Sequence, residues 1–460
     1  MKNQEFTDRL NKVIPGGAHT YSRGDDQFPS NAPQILEKGI GAYVWSPDGR
    51  KFLDYGMALR AVTLGYSDPQ VTEAVCNEIR KGNNLTRASV TELEAAELIV
   101  DLIPSADMVK FAKNGSNVTT AAAKIARAYT GKKYICVPRQ HPFFSFDDWF
   151  IGTTPLLRGI PSIHYESTLI FDYGDISSLE ILFESHPGEI AGVMLEPATT
   201  ILPINNLPEK LIYNKSFNKL CQDCSCTTHC EDNFLNKVQS LCRKNNCLFI
   251  LDEMITGFRF HEQGAQVYFG VDPDITTFGK AMANGFSVSA LVGKREIMEM
   301  GSIRNIGAER TFLLSTTHGG EMSGLRAFIE TMNIYKEREV CSHLWSYGAQ
   351  LRNGLIDLAK ELGIENNFRL DGASVLMNYV TLDEFGKSSF EYRTLFSQEM
   401  IRNGVLFPWI SLSLSHGSSE LDQTLEAARK AFKVYQLALS DGIGKYLEGP
   451  AIKPVFRKYN

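Results

Sequence analysis

Leu251-Asp-Glu-Met-Ile-Thr-Gly-Phe-Arg259, Pro273-Asp-Ile-Thr-Thr-Phe-Gly-Lys280 and Ala283-Asn-Gly-Phe-Ser-Val-Ser289 are parts of one stretch of this chain, and its reading decides the fold. The stretch is entered through Cys247-Leu-Phe-Ile-Leu251, a continuous apolar run closed by Asp252-Glu253. A second such run, Ile190-Ala-Gly-Val-Met-Leu195, is closed by Glu196-Pro197. Apolar runs closed by an acid are expected of central parallel strands, buried on both faces, whose C-terminal ends face a site. Val288 to Val292 is a further short strand candidate.

Strands and helices alternate on either side of this stretch. Ser89 is placed to cap a helix through Leu93, Leu98 and Ile99, with Glu92 three residues on to complete a capping box. Met108-Val-Lys-Phe111 reads as a strand, followed by a glycine-containing turn and a helix from about Val118 to Tyr129. Gly131 stands where a left-handed helix end is expected. From Glu321 the pattern is helical and then irregular α+β. The expectation is an α/β chain: a large domain over residues 58–325 with a mostly parallel sheet between helices, and a smaller α+β domain built from residues 1–57 and 326–460.

The bulk numbers narrow the classes. The chain has 460 residues, 43% hydrophobic and 22% charged, the balance of a globular protein able to bury its own core. A net charge of −6 without a basic block argues against a nucleic-acid surface. No apolar run approaches the roughly 20 residues that span a bilayer, and the polar stretch Met1 to Arg9 does not read as a secretory signal. A cytoplasmic location is expected, with the nine cysteines as thiols or metal ligands.

The chemistry gathers on two residues. A lysine on a loop beside an acid at a strand end can meet two demands of pyridoxal 5′-phosphate (PLP) chemistry: an amine to hold the aldehyde, and a carboxylate beside the pyridine nitrogen. Lys280 and Asp252 stand in that relation within one βα unit. By themselves they read more readily as a solvated surface lysine and a strand-end acid capping a helix.

The segment closely resembles the class III aminotransferases of PLP fold type I, and within them the glutamate-1-semialdehyde aminomutase branch. The resemblance runs from Ile14-Pro-Gly-Gly17 to Lys453-Pro-Val-Phe-Arg457 and includes Ala42-Tyr-Val-Trp-Ser-Pro-Asp-Gly-Arg-Lys-Phe-Leu-Asp-Tyr55, similar to the family's early hairpin. It implies that Lys280 is the Schiff-base lysine, that Asp252 binds the pyridine nitrogen, and that Glu196 lies close to the cofactor. Lys113-Asn114-Gly115-Ser116 falls where the family cradles the phosphate, at a helix N-terminus. Ser315-Thr-Thr-His-Gly-Gly320 resembles the segment from which a threonine, best matched by Thr316, reaches the phosphate of a neighbouring subunit. A homodimer with shared sites is thereby implied.

Departures from the pattern bear on the substrate. Arg23 sits where the aminomutase branch holds a substrate carboxylate. The family's Ser-Trp-Gly, however, is replaced by Ala58-Leu59-Arg60, adding a second cation able to grip an acidic or phosphorylated compound. The family's Tyr-His-Gly, whose aromatic ring covers PLP, is replaced by Gln140-His-Pro-Phe-Phe144, leaving His141, Phe143 or Phe144 to stack on the ring. Leu406-Phe-Pro-Trp-Ile-Ser-Leu-Ser413 lacks the aminomutases' glutamate. Such variants resemble aminomutase homologues that make amino sugars or related amines for surface polysaccharides.

Cys221, Cys224, Cys226 and Cys230, with His229, lie in an apparent insertion near residues 205–232. They can supply a tetrahedral zinc shell, or equally form a loop of free or redox-paired thiols. The reading expected is therefore a PLP-dependent aminotransferase using an amino-acid donor, glutamate first, and a carbonyl acceptor. The alternatives are an intramolecular aminomutase and a non-catalytic, metal-binding homologue.

Overall fold

The computed structural model describes residues 3–204, 233–304 and 306–460. The chain divides into two compact units, Met1–Asp68 with His343–Asn460, and Pro69–Ser342. Both limits lie further along the chain than the expected 57 and 325. A cut at 325 would fall inside the helix Met322–Arg338.

The first unit opens with the helix Asn3–Val13, followed by strands β1 (Lys38–Ile40), β2 (Tyr43–Trp45) and β3 (Lys51–Asp54). The second carries β4 (Met108–Ala112), β5 (Tyr134–Pro138), β6 (Thr168–Phe171), β7 (Ile190–Leu195), β8 (Leu248–Asp252), β9 (Ile275–Phe278) and β10 (Ser289–Gly293). The chain then returns to the first unit with β11 (Phe368–Ala373), β12 (Leu376–Thr381) and β13 (Val405–Leu406).

The large unit is built on a seven-stranded sheet in the order β4-β10-β9-β8-β7-β5-β6. The pairs β5–β6, β5–β7, β7–β8 and β8–β9 are parallel, while β10 runs antiparallel to β9 and β4. All residues of β7 and of β8 are buried, as their unbroken apolar sequences require. Each fully buried large aliphatic side chain there contributes about 1.5–3 kcal/mol. A Cβ on Gly192 would stand 2.9 Å from Ile250 Cδ1, so the glycine lets the two central strands pack without a gap.

Two helices show where local sequence and packing part company. Gly115–Thr130 begins earlier than the expected Val118, because Asn114 is extended (φ −148°) and its side chain accepts from Asn117 N at 3.1 Å. It ends on Gly131, left-handed at φ 68°, as expected. In Val90–Leu102 the Ser89 hydroxyl accepts from Glu92 N at 3.0 Å, but no return bond from Glu92 is made among the described residues. The buried positions are Thr91, Ala95 and Ile99, four residues apart, which turns Leu93 outward at 58% exposure.

The small unit holds the order β1-β2-β3-β13 and the hairpin β11–β12. Directly after β3 the backbone makes one left-handed helical turn: Met57, Ala58, Leu59 and Arg60 have φ of 40°, 48°, 62° and 66°. Arg60 N donates to Gly56 O at 3.1 Å and Ala61 N to Met57 O at 2.9 Å. For non-glycine residues this hand costs about 1–2 kcal/mol each, so the surroundings must hold it. Among the described residues no helix is long and apolar enough to cross a membrane.

Candidate active site

The C-terminal ends of β5, β7, β8 and β9 carry His141, Glu196, Asp252 and Lys280 in turn along one crest of the sheet. Register keeps them level: Leu195 pairs with Leu251, and Asp252 with Thr277. A crest of this kind, where parallel strands end, is where α/β sheets bind ligands.

Asp252 is 2% exposed. Its Oδ1 accepts from Met254 N at 2.9 Å and from the Thr277 hydroxyl at 3.1 Å, while no bond to Oδ2 is made among the described residues. Burial pushes its pKa up to about 6, against the pull of those two donors and of the Lys280 ammonium. The neighbouring Glu253 plays a structural part. Its carboxylate accepts from Ala265 N and Gln266 N, capping the short helix Ala265–Phe269, and burial raises its pKa to about 7.

Lys280 follows Gly279 in the left-handed region, at φ 44°. Strained backbone of this sort is found where a side chain must point a particular way. Met254 ties the lysine loop to the helix Gly115–Thr130. A Cβ on Gly279 would lie 2.6 Å from its sulfur, and one on Gly115 would lie 3.0 Å away. Gly279, directly before Lys280, and Gly115 thus meet at one methionine side chain, two residues beyond Asp252.

In that turn the Asn114 side chain uses the Asn117 amide, and the amides of Gly115 and Ser116 have no partner among the described residues. Ser116 Oγ accepts from Phe146 N at 3.0 Å, leaving its proton to donate. Ser287 and Ser289 hold the turn from behind by donating to Lys113 O and Asn114 O. Lys113 pairs with Glu321 at 2.7 Å, and Lys113 holds the Glu321 carboxyl below its usual range.

His141 is 3% exposed, and its Nδ1 accepts from Glu196 N at 2.9 Å. Burial lowers its pKa to about 3, so the ring is neutral with its proton on Nε2, a buried atom that has no partner among the described residues. Glu196 is 3% exposed, and its charge adds to the burial that raises the Tyr173 pKa. Of the three residues expected to stack on a cofactor, Phe144 is 1% exposed and set edge-on to Phe150, so it belongs to the core. Phe143 is 45% exposed, also edge-on to Phe150. Gln140, in the motif position of the family's aromatic, is tied to Asp172 Oδ1 and Tyr173 N.

The Thr316 hydroxyl oxygen is buried with no partner among the described residues, where a Cβ on Gly319 would come within 2.6 Å of it. Arg23 and Arg60 belong to the other unit: Arg23 closes the turn Tyr21–Arg23, and Arg60 ends the left-handed turn. The cluster Cys221, Cys224, Cys226, Cys230 lies outside the described residues. Among the described residues no three His, Cys, Asp or Glu side chains gather as metal ligands.

The large unit fits PLP on its own terms. Two unspent amides and a hydroxyl proton suit a phosphate, an orphaned buried N–H suits a polar ring substituent, and a buried carboxylate suits a protonated ring nitrogen. Reading the sequence alone missed Met254 and the Lys113–Glu321 pair. Only the place of Met254 directly after the strand-end acids hinted at its position.

The class-III aminotransferase family matches this chain over residues 26–159 and 221–381. The chain is 30% identical to glutamate-1-semialdehyde 2,1-aminomutase of Methanothermobacter thermautotrophicus, covering 94% of this chain and 98% of that protein. It is 28% identical to 3-aminobutyryl-CoA aminotransferase of Cloacimonas acidaminovorans, covering 94% and 96%. Among solved structures, the PLP form of FumI from Sphingopyxis sp. MTA144 superposes with a TM-score of 0.80 at 24% identity, over 95% of this chain and 97% of that one.

Proposed function

The chain belongs to the class-III aminotransferases, a PLP-dependent family of fold type I, and from that premise we propose that it transfers an amino group from an amino-acid donor, glutamate first, to an acidic or phosphorylated carbonyl acceptor. The observation that carries this reading is Asp252: an acid buried at a strand end, carrying no bond on Oδ2 among the described residues, with the Lys280 ammonium close enough to lower its pKa.

When bound, PLP supplies the electron sink for breaking a bond at the substrate's α-carbon. Lys280 Nζ would hold the cofactor, and its amine would move the substrate's α-proton as general base and acid. Asp252 Oδ2 keeps the ring nitrogen protonated. The amides of Gly115 and Ser116, with the Ser116 hydroxyl and the Asn114 turn behind them, grip the phosphate. His141 Nε2 and Glu196 would serve the ring's polar substituent, and exposed Phe143 would cover the site. Thr316 serves a neighbouring subunit's phosphate after its hydroxyl turns outward. Arg23 and Arg60 hold the substrate's acidic group.

A sugar-like acceptor of surface polysaccharide synthesis is the finer form of this proposal, argued from the departures at Ala58-Leu59-Arg60 and Gln140. An aminomutase is the second reading, favoured by the 30% identity to an enzyme so named. Zinc on Cys221, Cys224, Cys226 and Cys230 is tested by the metal content of the purified chain: one equivalent supports it, and none removes it.

One experiment separates the two reactions. L-glutamate is added to the PLP-loaded protein while the yellow cofactor band and released 2-oxoglutarate are followed. Loss of the band with stoichiometric 2-oxoglutarate supports the external-donor reading. A yellow protein indifferent to amino donors supports the mutase.

A further inference from the structure

In the large unit, residues 80–89 join the helices Pro69–Ile79 and Val90–Leu102. They are pinned to the segment that carries Thr317 and Gly320. Asn83 O accepts from Met322 N at 2.8 Å, Asn83 Oδ1 accepts from Ser323 N at 2.9 Å, and Asn84 Nδ2 donates to Thr317 O at 2.9 Å. Between the two segments lies a cavity of about 200 Å³, with Asn84, Thr86, Arg87, Ser89, Glu92 and Thr317 in its polar wall. Pockets for cofactors and drug-sized ligands run to about 300–1,000 Å³, so this one has room for a small metabolite only.

Arg87 and Glu92 are the charged residues of that wall, one of each sign. They do not pair with each other, and neither side chain makes an ion pair or hydrogen bond among the described residues. Opposite charges that share a cavity without meeting leave space for a third group between them. The backbone fixes that arrangement. Ser89 caps the helix by accepting from Glu92 N at 3.0 Å, which sets Glu92 in the first turn. A Cβ on Gly320 would stand 3.1 Å from Glu92 Oε2, so the glycine leaves the carboxylate its place. The Ser89 hydroxyl, accepting in the cap, keeps its proton to donate, and the hydroxyls of Thr86 and Thr317 have no partner among the described residues.

We infer that this cavity binds a small amino acid as its zwitterion, with the carboxylate on Arg87 and the wall hydroxyls and the ammonium on Glu92. A guanidinium fork suits a carboxylate, and a lone acid suits an ammonium. A simple anion meets Glu92 as a repelling charge, and a simple cation meets Arg87 in the same way. The wall therefore selects ligands that carry both charges. The inference goes beyond the aminotransferase reading, since it uses neither Lys280 nor Asp252.

Two probes of nearly the same shape test it by calorimetry on the PLP-loaded protein. N,N-dimethylglycine is a zwitterion whose tertiary amine cannot form a Schiff base, so the cofactor takes no part in its binding. Isovalerate replaces the charged nitrogen with carbon and keeps the carboxylate. Saturable binding of dimethylglycine is expected, weakened about tenfold in Arg87→Gln and again in Glu92→Gln. Isovalerate is expected to bind more weakly than dimethylglycine to the unaltered protein, and to bind more tightly in Glu92→Gln. This reversal of sign separates a charge contact from general damage to the loop, and an unchanged melting temperature reports folding in both variants. Absence of saturable dimethylglycine binding, equal affinity in either variant, or isovalerate binding as tightly as dimethylglycine to the unaltered protein overturns the inference.

Discussion

Asp252 shows how burial prepares a residue for one partner. Its carboxyl titrates near 6 rather than at the usual value because desolvation outweighs the donors around it. The folded, cofactor-free protein therefore keeps a proton that the unfolded chain has released. That contribution to stability is full below about pH 4 and is lost as pH rises through about 6. At neutral pH the buried charge is a liability until a cationic ring nitrogen arrives. Asp252→Asn, which preserves the acceptor for Met254 N and Thr277, is expected to raise the melting temperature of the cofactor-free protein by a few degrees at pH 7.5 and to flatten its fall between pH 4 and 6. The same variant gains less stability from added PLP and loses turnover roughly 10²–10⁴-fold. Scanning fluorimetry with and without PLP at both pH values checks this; an unchanged cofactor-free profile would remove the burial argument. Lys280→Ala is expected to abolish borohydride trapping of PLP on the chain, read by mass spectrometry. A trapped adduct in that variant places the cofactor on another lysine.

At the scale of elements, Met254 makes the lysine loop, the strand-end acid and the helix Gly115–Thr130 one rigid unit. A Cβ at residue 279 would overlap the methionine sulfur at 2.6 Å, so Gly279→Ala is expected to lose about 1–3 kcal/mol through overpacking and to weaken PLP binding. Met254→Ala alone leaves a cavity costing about 2–5 kcal/mol. In the double variant the overlap is gone, and the combined loss falls below the sum of the single losses. Denaturant titration of the three variants measures this, and strict additivity would show that the two residues do not press on one another. Asn114→Ala costs about 1 kcal/mol as a lost N-cap. The strands were readable because their apolar runs are unbroken. The helix start at Gly115 was harder to read, since its capping residue precedes the first apolar residue by several positions. Leu93 was misjudged because Thr91, Ala95 and Ile99 define the packed face.

At the scale of the whole molecule, the family resemblance implies a homodimer. Val90 and Leu93, three residues apart on one helix, leave 72% and 58% of their surface exposed. Val90→Glu with Leu93→Glu is expected to halve the mass seen by light scattering, and an unchanged mass would place any subunit interface elsewhere. The sequence alone determined the alternating α/β order, the acids that close β7 and β8, and the lysine that follows Thr-Phe-Gly, because these are written in local spacing and in continuous apolar runs. Only the tertiary structure decided the hand of the turn Met57–Arg60, the inward hydroxyl of Thr316, the structural part of Glu253 and the neutral ring of His141. Each of these depends on partners distant along the chain or on the exclusion of water. The Trp409 indole, which donates to Gly56 O, is 353 residues away, and no local pattern of residues encodes such a contact.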